Sequence, residues 1–317
     1  MGFFGRLLGR DGAERVPRWA RFFSPGDWQA FVSTVEHHLA EQGWDARRRE
    51  GVVVLRLPDG RPLQVGLQTL AQQCRSAEAR DWPVLVAAHF ARIVSGGAEA
   101  ESFDRTDFEQ ARARLKIRLY PAEAVDADPD LDLVAFRPAE GLVAALVYDH
   151  PHTVASVPAT DLEAWGKEPD ELFEIARENT RGESLIRDRI DVAKGVTVQV
   201  RHGESLFAAV QLLFLDELLP DPPPWGVLAA VPTRHLLLYH PIRDARVLMA
   251  VNAMIPQILL YHRKGPGSLV PNLYWRHEGQ FHTLPIGVSG KGVTFRPTLD
   301  FIEQVMEPLG GVAREEP

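Results

Sequence analysis

The sequence predicts an α+β protein of two packed units, with mixed or mainly antiparallel sheets, and three observations carry that reading. Strand-like and helix-like stretches follow one another irregularly, without the strict alternation of a parallel sheet. Asp59-Gly60 and Glu278-Gly279 lie between apolar runs, where hairpin turns belong. An acidic stretch, Asp126-Ala127-Asp128-Pro129-Asp130-Leu131-Asp132, separates two apolar-rich halves. The expected division is a tail over 1–20, an α+β unit over 21–119, an α+β domain over 120–310 and a tail over 311–317. A chain of 317 residues, 45% hydrophobic, is long enough to bury a core without staples.

In the first unit, Ser24-Pro25-Gly26-Asp27 reads as a helix start, with a capping hydroxyl, proline in the first turn and an early acid. Trp28, Phe31, Val32, Val35 and Leu39 then recur at helical spacing, and Gly43 supplies a stop. Val52 to Leu57 and Leu63 to Leu67 read as two strands around Pro58-Asp59-Gly60. Leu67, Leu70, Ala71 and Cys74 fit a helix face. Trp82-Pro83 opens a longer helix expected to end at Gly96-Gly97, and Phe108 to Leu115 a shorter one.

The second half offers strands at Leu133–Phe136, Leu142–Tyr148, Val196–Val200, Val227–Val231 and His235–Tyr239, and a hairpin of Leu273–Arg276 with Gln280–Leu284. Pro169-Asp170-Glu171 starts a helix whose face is Leu172, Ile175, Ala176 and Asn179; the Asn179 amide is expected to be buried and to serve backbone groups from Gly182 onward. Leu206 to Leu219 is apolar nearly all round, the mark of a buried helix. Arg243 to Ile258 reads as a helix or helix pair that Pro256 ends or kinks, and Thr298 to Met306 as a closing helix.

The net charge of −8 argues against a nucleic-acid platform, so Trp225, Tyr274 and Trp275 are expected to cover a sheet rather than to stack bases. One cysteine, Cys74, excludes an internal disulfide and a multi-cysteine zinc site; with no basic neighbour it reads as a buried thiol. The opening Met-Gly-Phe-Phe-Gly-Arg-Leu-Leu lacks the apolar length of a secretory signal, and Val247 to Tyr261 falls short of a membrane span, so the default expectation is cytoplasmic. Phe3, Phe4, Leu7 and Leu8 form one face of a short amphipathic turn suited to a membrane surface, a partner or, more simply, its own domain.

No nucleophile elbow, P-loop or His-Glu-x-x-His motif is present, and the acidic stretch at 126–132 lacks the central glycine and final glutamate of a calcium loop. No cofactor is therefore expected. Asp149-His150-Pro151-His152 offers two imidazoles and a carboxylate to a metal, with His240 or His262 as a further ligand, although an ordinary polar turn explains the same residues. Arg234, His235 and Arg243, together with Asp149, form the candidate pocket, one suited to an anion because arginine offers a two-pronged fork.

Four stretches follow one another in a recognisable order: Ile117-Arg118-Leu119-Tyr120-Pro121, then Ala144 to Asp149 followed by Val154 to Leu162 and Leu172 to Asn179 as a strand, strand, helix block, then Val231-Pro232 before Leu236-Leu237-Leu238, and Val270-Pro271 through Gly279. In these stretches the chain resembles the YtpQ-like family of bacterial proteins, a domain-of-unknown-function family. The resemblance implies a fold and a cytoplasmic bacterial setting, and no active-site residues. The expected function is a non-enzymatic binding, adaptor or immunity-type protein with a protein partner; the alternative is an enzyme or small-molecule or metal binder using Asp149, His150 and His152 or the Arg234 and Arg243 cluster.

Overall fold

A computed structural model of the chain describes residues 15–49, 51–56, 62–101, 103–127, 133–150, 154–289 and 292–310. The turn at Asp59-Gly60, the amphipathic turn at Phe3, Phe4, Leu7 and Leu8, and His152 lie outside them. The fold is α+β, and every strand pairing among the described residues is antiparallel. The chain divides into two units, Met1–Gly97 and Ala98–Pro317. The break precedes residue 119 because Leu115–Pro121 forms one uninterrupted ladder with Leu142–Asp149.

In the first unit, α1 (Pro25–Glu41) starts where Ser24 Oγ accepts from Asp27 N at 3.1 Å, and it buries Trp28, Phe31, Val32, Val35 and Leu39. Gly43 exits at φ 65°, a conformation that favours glycine. Strands β1 (Asp45–Arg49), β2 (Val52–Arg56) and β3 (Pro62–Gly66) form a meander in that order. Strand β1, Asp-Ala-Arg-Arg-Arg, has no apolar alternation; as an edge strand it pairs on one side only, where charge is tolerated. Helices α2 (Gln68–Ser76) and α3 (Trp82–Glu101) complete the unit. Helix α3 runs past Gly96-Gly97, since glycine inside a helix costs only about 1 kcal/mol relative to alanine. Cys74 is fully buried among Val53, Leu70 and Phe90 of this core.

In the second unit, Asp107 caps α4 (Phe108–Arg114), which runs into β4 (Leu115–Pro121) and α5 (Ala122–Asp126). Strand β5 is only Ala135–Phe136, and β6 (Leu142–Asp149) is bracketed by β4 on one side and by β5 and β7 (Val154–Ser156) on the other. Val154 to Leu162 is therefore not one strand: Pro158 ends it and caps α6 (Ala159–Trp165). Helix α7 (Pro169–Arg181) buries Leu172, Ala176 and Thr180. Asn179 is only half-buried, and its amide donates to the carbonyls of Arg112 (2.8 Å) and Leu115 (2.9 Å), the unpaired end of α4, rather than to the loop at Gly182.

Strands β8 (Ile186–Ala193), β9 (Val196–His202), β10 (Val227–Thr233), β11 (Leu236–Pro241), β12 (Leu273–His277) and β13 (Gln280–Leu284) make a six-stranded sheet in the order β13-β12-β10-β11-β9-β8. Its residues alternate between two cores. Leu228, Ala230, Leu238 and Trp275 face one core, beneath α8 (Val247–Lys264); Val227, Ala229, Leu237, Tyr239 and Tyr274 face the other, shared with β4, β6 and α7. Pro256 does not end α8: it sits on the exposed side, while Val251, Met254, Ile255 and Ile258 continue the buried face through it. Ala208–Glu217 is buried as expected but winds as a 3₁₀ helix, tighter than an α-helix. At the β12–β13 turn, Glu278 and Gly279 both take positive φ (47° and 80°), giving the primed turn that matches strand twist. Strands β14 (Ile286–Ser289) and β15 (Gly292–Phe295) pair, and α9 (Leu299–Phe301), capped by Thr298, widens into a π-type turn over Ile302–Met306.

Candidate functional site

Alternation along β4 puts Leu115, Ile117 and Leu119 into the core and Lys116, Arg118 and Tyr120 on the opposite side. Lys116 Nζ pairs with Asp149 Oδ2 at 2.7 Å and with Glu183, all three side chains being at most 31% exposed. Glu183 Oε2 accepts from Ser205 Oγ at 2.5 Å, and His235 Nδ1 bonds the Ser205 carbonyl at 3.0 Å. The result is a continuous polar chain from Asp149 to His235. Burial pulls the Lys116 ammonium down, but the hydrogen bonds and charges of Asp149 and Glu183 outweigh it, and the net shift is upward. Burial, then the adjacent Arg234 charge, lowers the His235 imidazole. Arg234 is itself lowered to about 10, by burial first and by Arg118 second.

Asp149 and His235 are linked through Glu183 and Ser205, and Arg234 neighbours His235. Arg243 is not brought to them, because the whole of β11 stands between His235 and Arg243; its guanidinium donates to the Asp221 carbonyl at 3.1 Å. The Arg234 and Arg243 cluster does not form.

The metal candidates disperse. His150 is 5% exposed, its Nδ1 accepts from Arg114 at 3.1 Å, and its ring packs on Phe103 with centroids 5.4 Å apart. His240 Nδ1 bonds the Thr197 carbonyl at 2.8 Å, and the His262 ring bonds the Leu269 backbone. Among the described residues no three His, Cys, Asp or Glu side chains converge to hold a metal. Tyr274 and Trp275 are fully buried in the sheet, and the Trp275 indole donates to the Trp225 carbonyl at 2.8 Å.

A second arrangement lies beside this network. Strands β8 and β9 pair with Arg187 opposite Arg201, so both guanidinium groups rise from one face of the sheet. That face is apolar at β11, where Leu237 is the neighbour of Arg201, and turns cationic at its last two strands. With the end of α7 and the 3₁₀ segment, these strands line a cleft of about 500 Å³. Glu217, in the same lining, is held by Arg181 (2.9 Å) and Arg177 (3.2 Å), which bring its carboxyl below the usual range. Glu183 is held by Lys116. Neither Arg187 nor Arg201 has an acidic partner among the described residues. Gln211, 5% exposed and part of the lining, has no hydrogen-bond partner for its side-chain amide there either.

No protein-family model, curated protein or solved structure matches this chain. Among the described residues, no helix is long and apolar enough to cross a membrane.

Sequence reasoning did not find Lys116, Glu183, Ser205, Arg187, Arg201 or Gln211. One signal was there to be used: Gln211 is the single polar residue between Leu206 and Leu215. Nothing in the sequence shows that residues 187 and 201 are cross-strand partners, because register is set by pairing.

Proposed function

We propose that this chain is a binding protein rather than an enzyme, a cytoplasmic relative of the YtpQ-like family whose second unit holds an anionic small molecule in the Arg187–Arg201 cleft. The observation that carries the reading is the pair of cross-strand arginines without acidic partners among the described residues, on a cleft that Gln211 also lines. The groups suited to acid–base work, Asp149, Lys116, Glu183, Ser205 and His235, are bonded to one another, which favours binding over chemistry. A cleft of about 500 Å³ suits a small molecule better than a protein face, so this reading replaces the adaptor role expected from the sequence.

The test is native mass spectrometry of the protein purified from its own cells, beside Arg201→Glu. A bound mass of a few hundred daltons on the natural protein, absent from the variant, is the expected result. Equal masses for both, with no adduct on either, would refute the proposal.

A further inference from the structure

We infer that the cleft recognises the terminal phosphate of a phosphomonoester, held between Arg187 and Arg201. The inference rests on the binding reading above and names the ligand class.

Directly opposed residues of an antiparallel pair have Cβ atoms about 5 Å apart, so two like charges there are destabilising unless an anion bridges them. The chain's own acids do not supply that bridge. On the same face, Asp191 is paired with Arg189 at 3.5 Å. Glu217 is engaged by Arg177 and Arg181, and Glu183 by Lys116 and Ser205. Asp188 lies one residue along β8 and so on the opposite face.

Charge and shape then select the anion. A carboxylate brings one charge and two oxygens, enough for a single arginine fork. A phosphomonoester carries about −1.5 to −2 at pH 7 and has three terminal oxygens, matching two forks and leaving an acceptor for a further donor. Gln211, which lines the same cleft, offers a side-chain amide as that donor. The remaining lining includes the half-buried Leu185 and Leu218, apolar surface for the body of the ligand.

The experiment is isothermal titration of the full chain at low ionic strength with inorganic phosphate, glycerol 3-phosphate and succinate, repeated for Arg187→Gln, Arg201→Gln and Gln211→Leu. Arg187 is exposed, so its variant keeps the fold, and circular dichroism checks all three. Both phosphates should bind and succinate should bind at least tenfold more weakly. Each arginine variant should lose roughly 10- to 100-fold in affinity, the range for a hydrogen bond to a charged group, and Gln211→Leu a smaller factor. Succinate binding as tightly as glycerol 3-phosphate, with the same arginine dependence, would overturn the phosphate assignment and leave the binding reading standing. Phosphate binding indifferent to both arginines would overturn the placement. No binding by any of the three at millimolar concentration would overturn the inference and the binding reading together.

Discussion

Replacing Lys116 by methionine removes the one cation between Asp149 and Glu183 while keeping most of the side-chain volume. At 2.7 Å and an effective dielectric near 20, the Lys116–Asp149 attraction alone is about 6 kcal/mol before desolvation is charged against it. Desolvation of the ions offsets part of that, and deleting one member of a buried pair typically costs about 3–5 kcal/mol, because the survivors remain buried and uncompensated. Glu183 keeps its bond from Ser205 and Asp149 is 31% exposed, so the lower end, about 3 kcal/mol, is expected. Hydrogen exchange of peptides covering Leu115–Pro121 and Leu142–Asp149, followed against urea, reads this unit separately from the first. A second substitution, Glu183→Gln, should recover part of the loss in the Lys116→Met background while destabilising the natural chain. The raised ammonium gives the sign of the pH dependence: its contribution is full below the ordinary lysine value and fades only as pH rises through the higher folded one. A loss below about 1 kcal/mol, or no recovery in the double variant, would refute the view that these three charges act as a unit.

Leu172 is fully buried where α7 packs on the core, so Leu172→Ala should cost about 2–5 kcal/mol by urea denaturation; a loss under about 1 kcal/mol would contradict that packing. Burial pushes the Cys74 thiol up to about 12, so it should resist labelling by a thiol reagent at pH 8 and react fully once the chain is unfolded. Burial likewise brings the His89 ring down to about 4, against a smaller opposing effect of its bond to the Gly66 carbonyl. The unfolded chain then takes up a proton near pH 6.5 that the folded one refuses, so stability falls as pH drops from 6.5 towards 4. His89→Gln should flatten that fall in exchange measurements on the first unit, and an unchanged profile would show that His89 does not drive it.

Local patterns fixed much of the fold in advance because they act over a few residues. The Ser24 cap, the five buried positions of α1 and the Glu278-Gly279 turn are each decided by neighbours in sequence, and each formed as read. The strands β10, β11 and β12 were equally legible, since continuous apolar runs suit strands buried on both faces. The misreadings occurred where tertiary context overrides local preference. Pro256 stays inside α8 because the buried face of that helix continues on both sides of it. Strand β1 shows no apolar alternation because it is an edge strand, and pairing rather than burial holds it. The site belongs to this second class. Asp149 and His235 were recognisable as polar residues at strand ends, but Lys116, Glu183 and Ser205, which join them, come from three separate places in the chain. Arg187 and Arg201 are fourteen positions apart, and only the register of β8 on β9 makes them neighbours. A one-residue slip would send one of them to the opposite face, so the cleft exists through strand pairing, a long-range choice that composition and spacing do not encode.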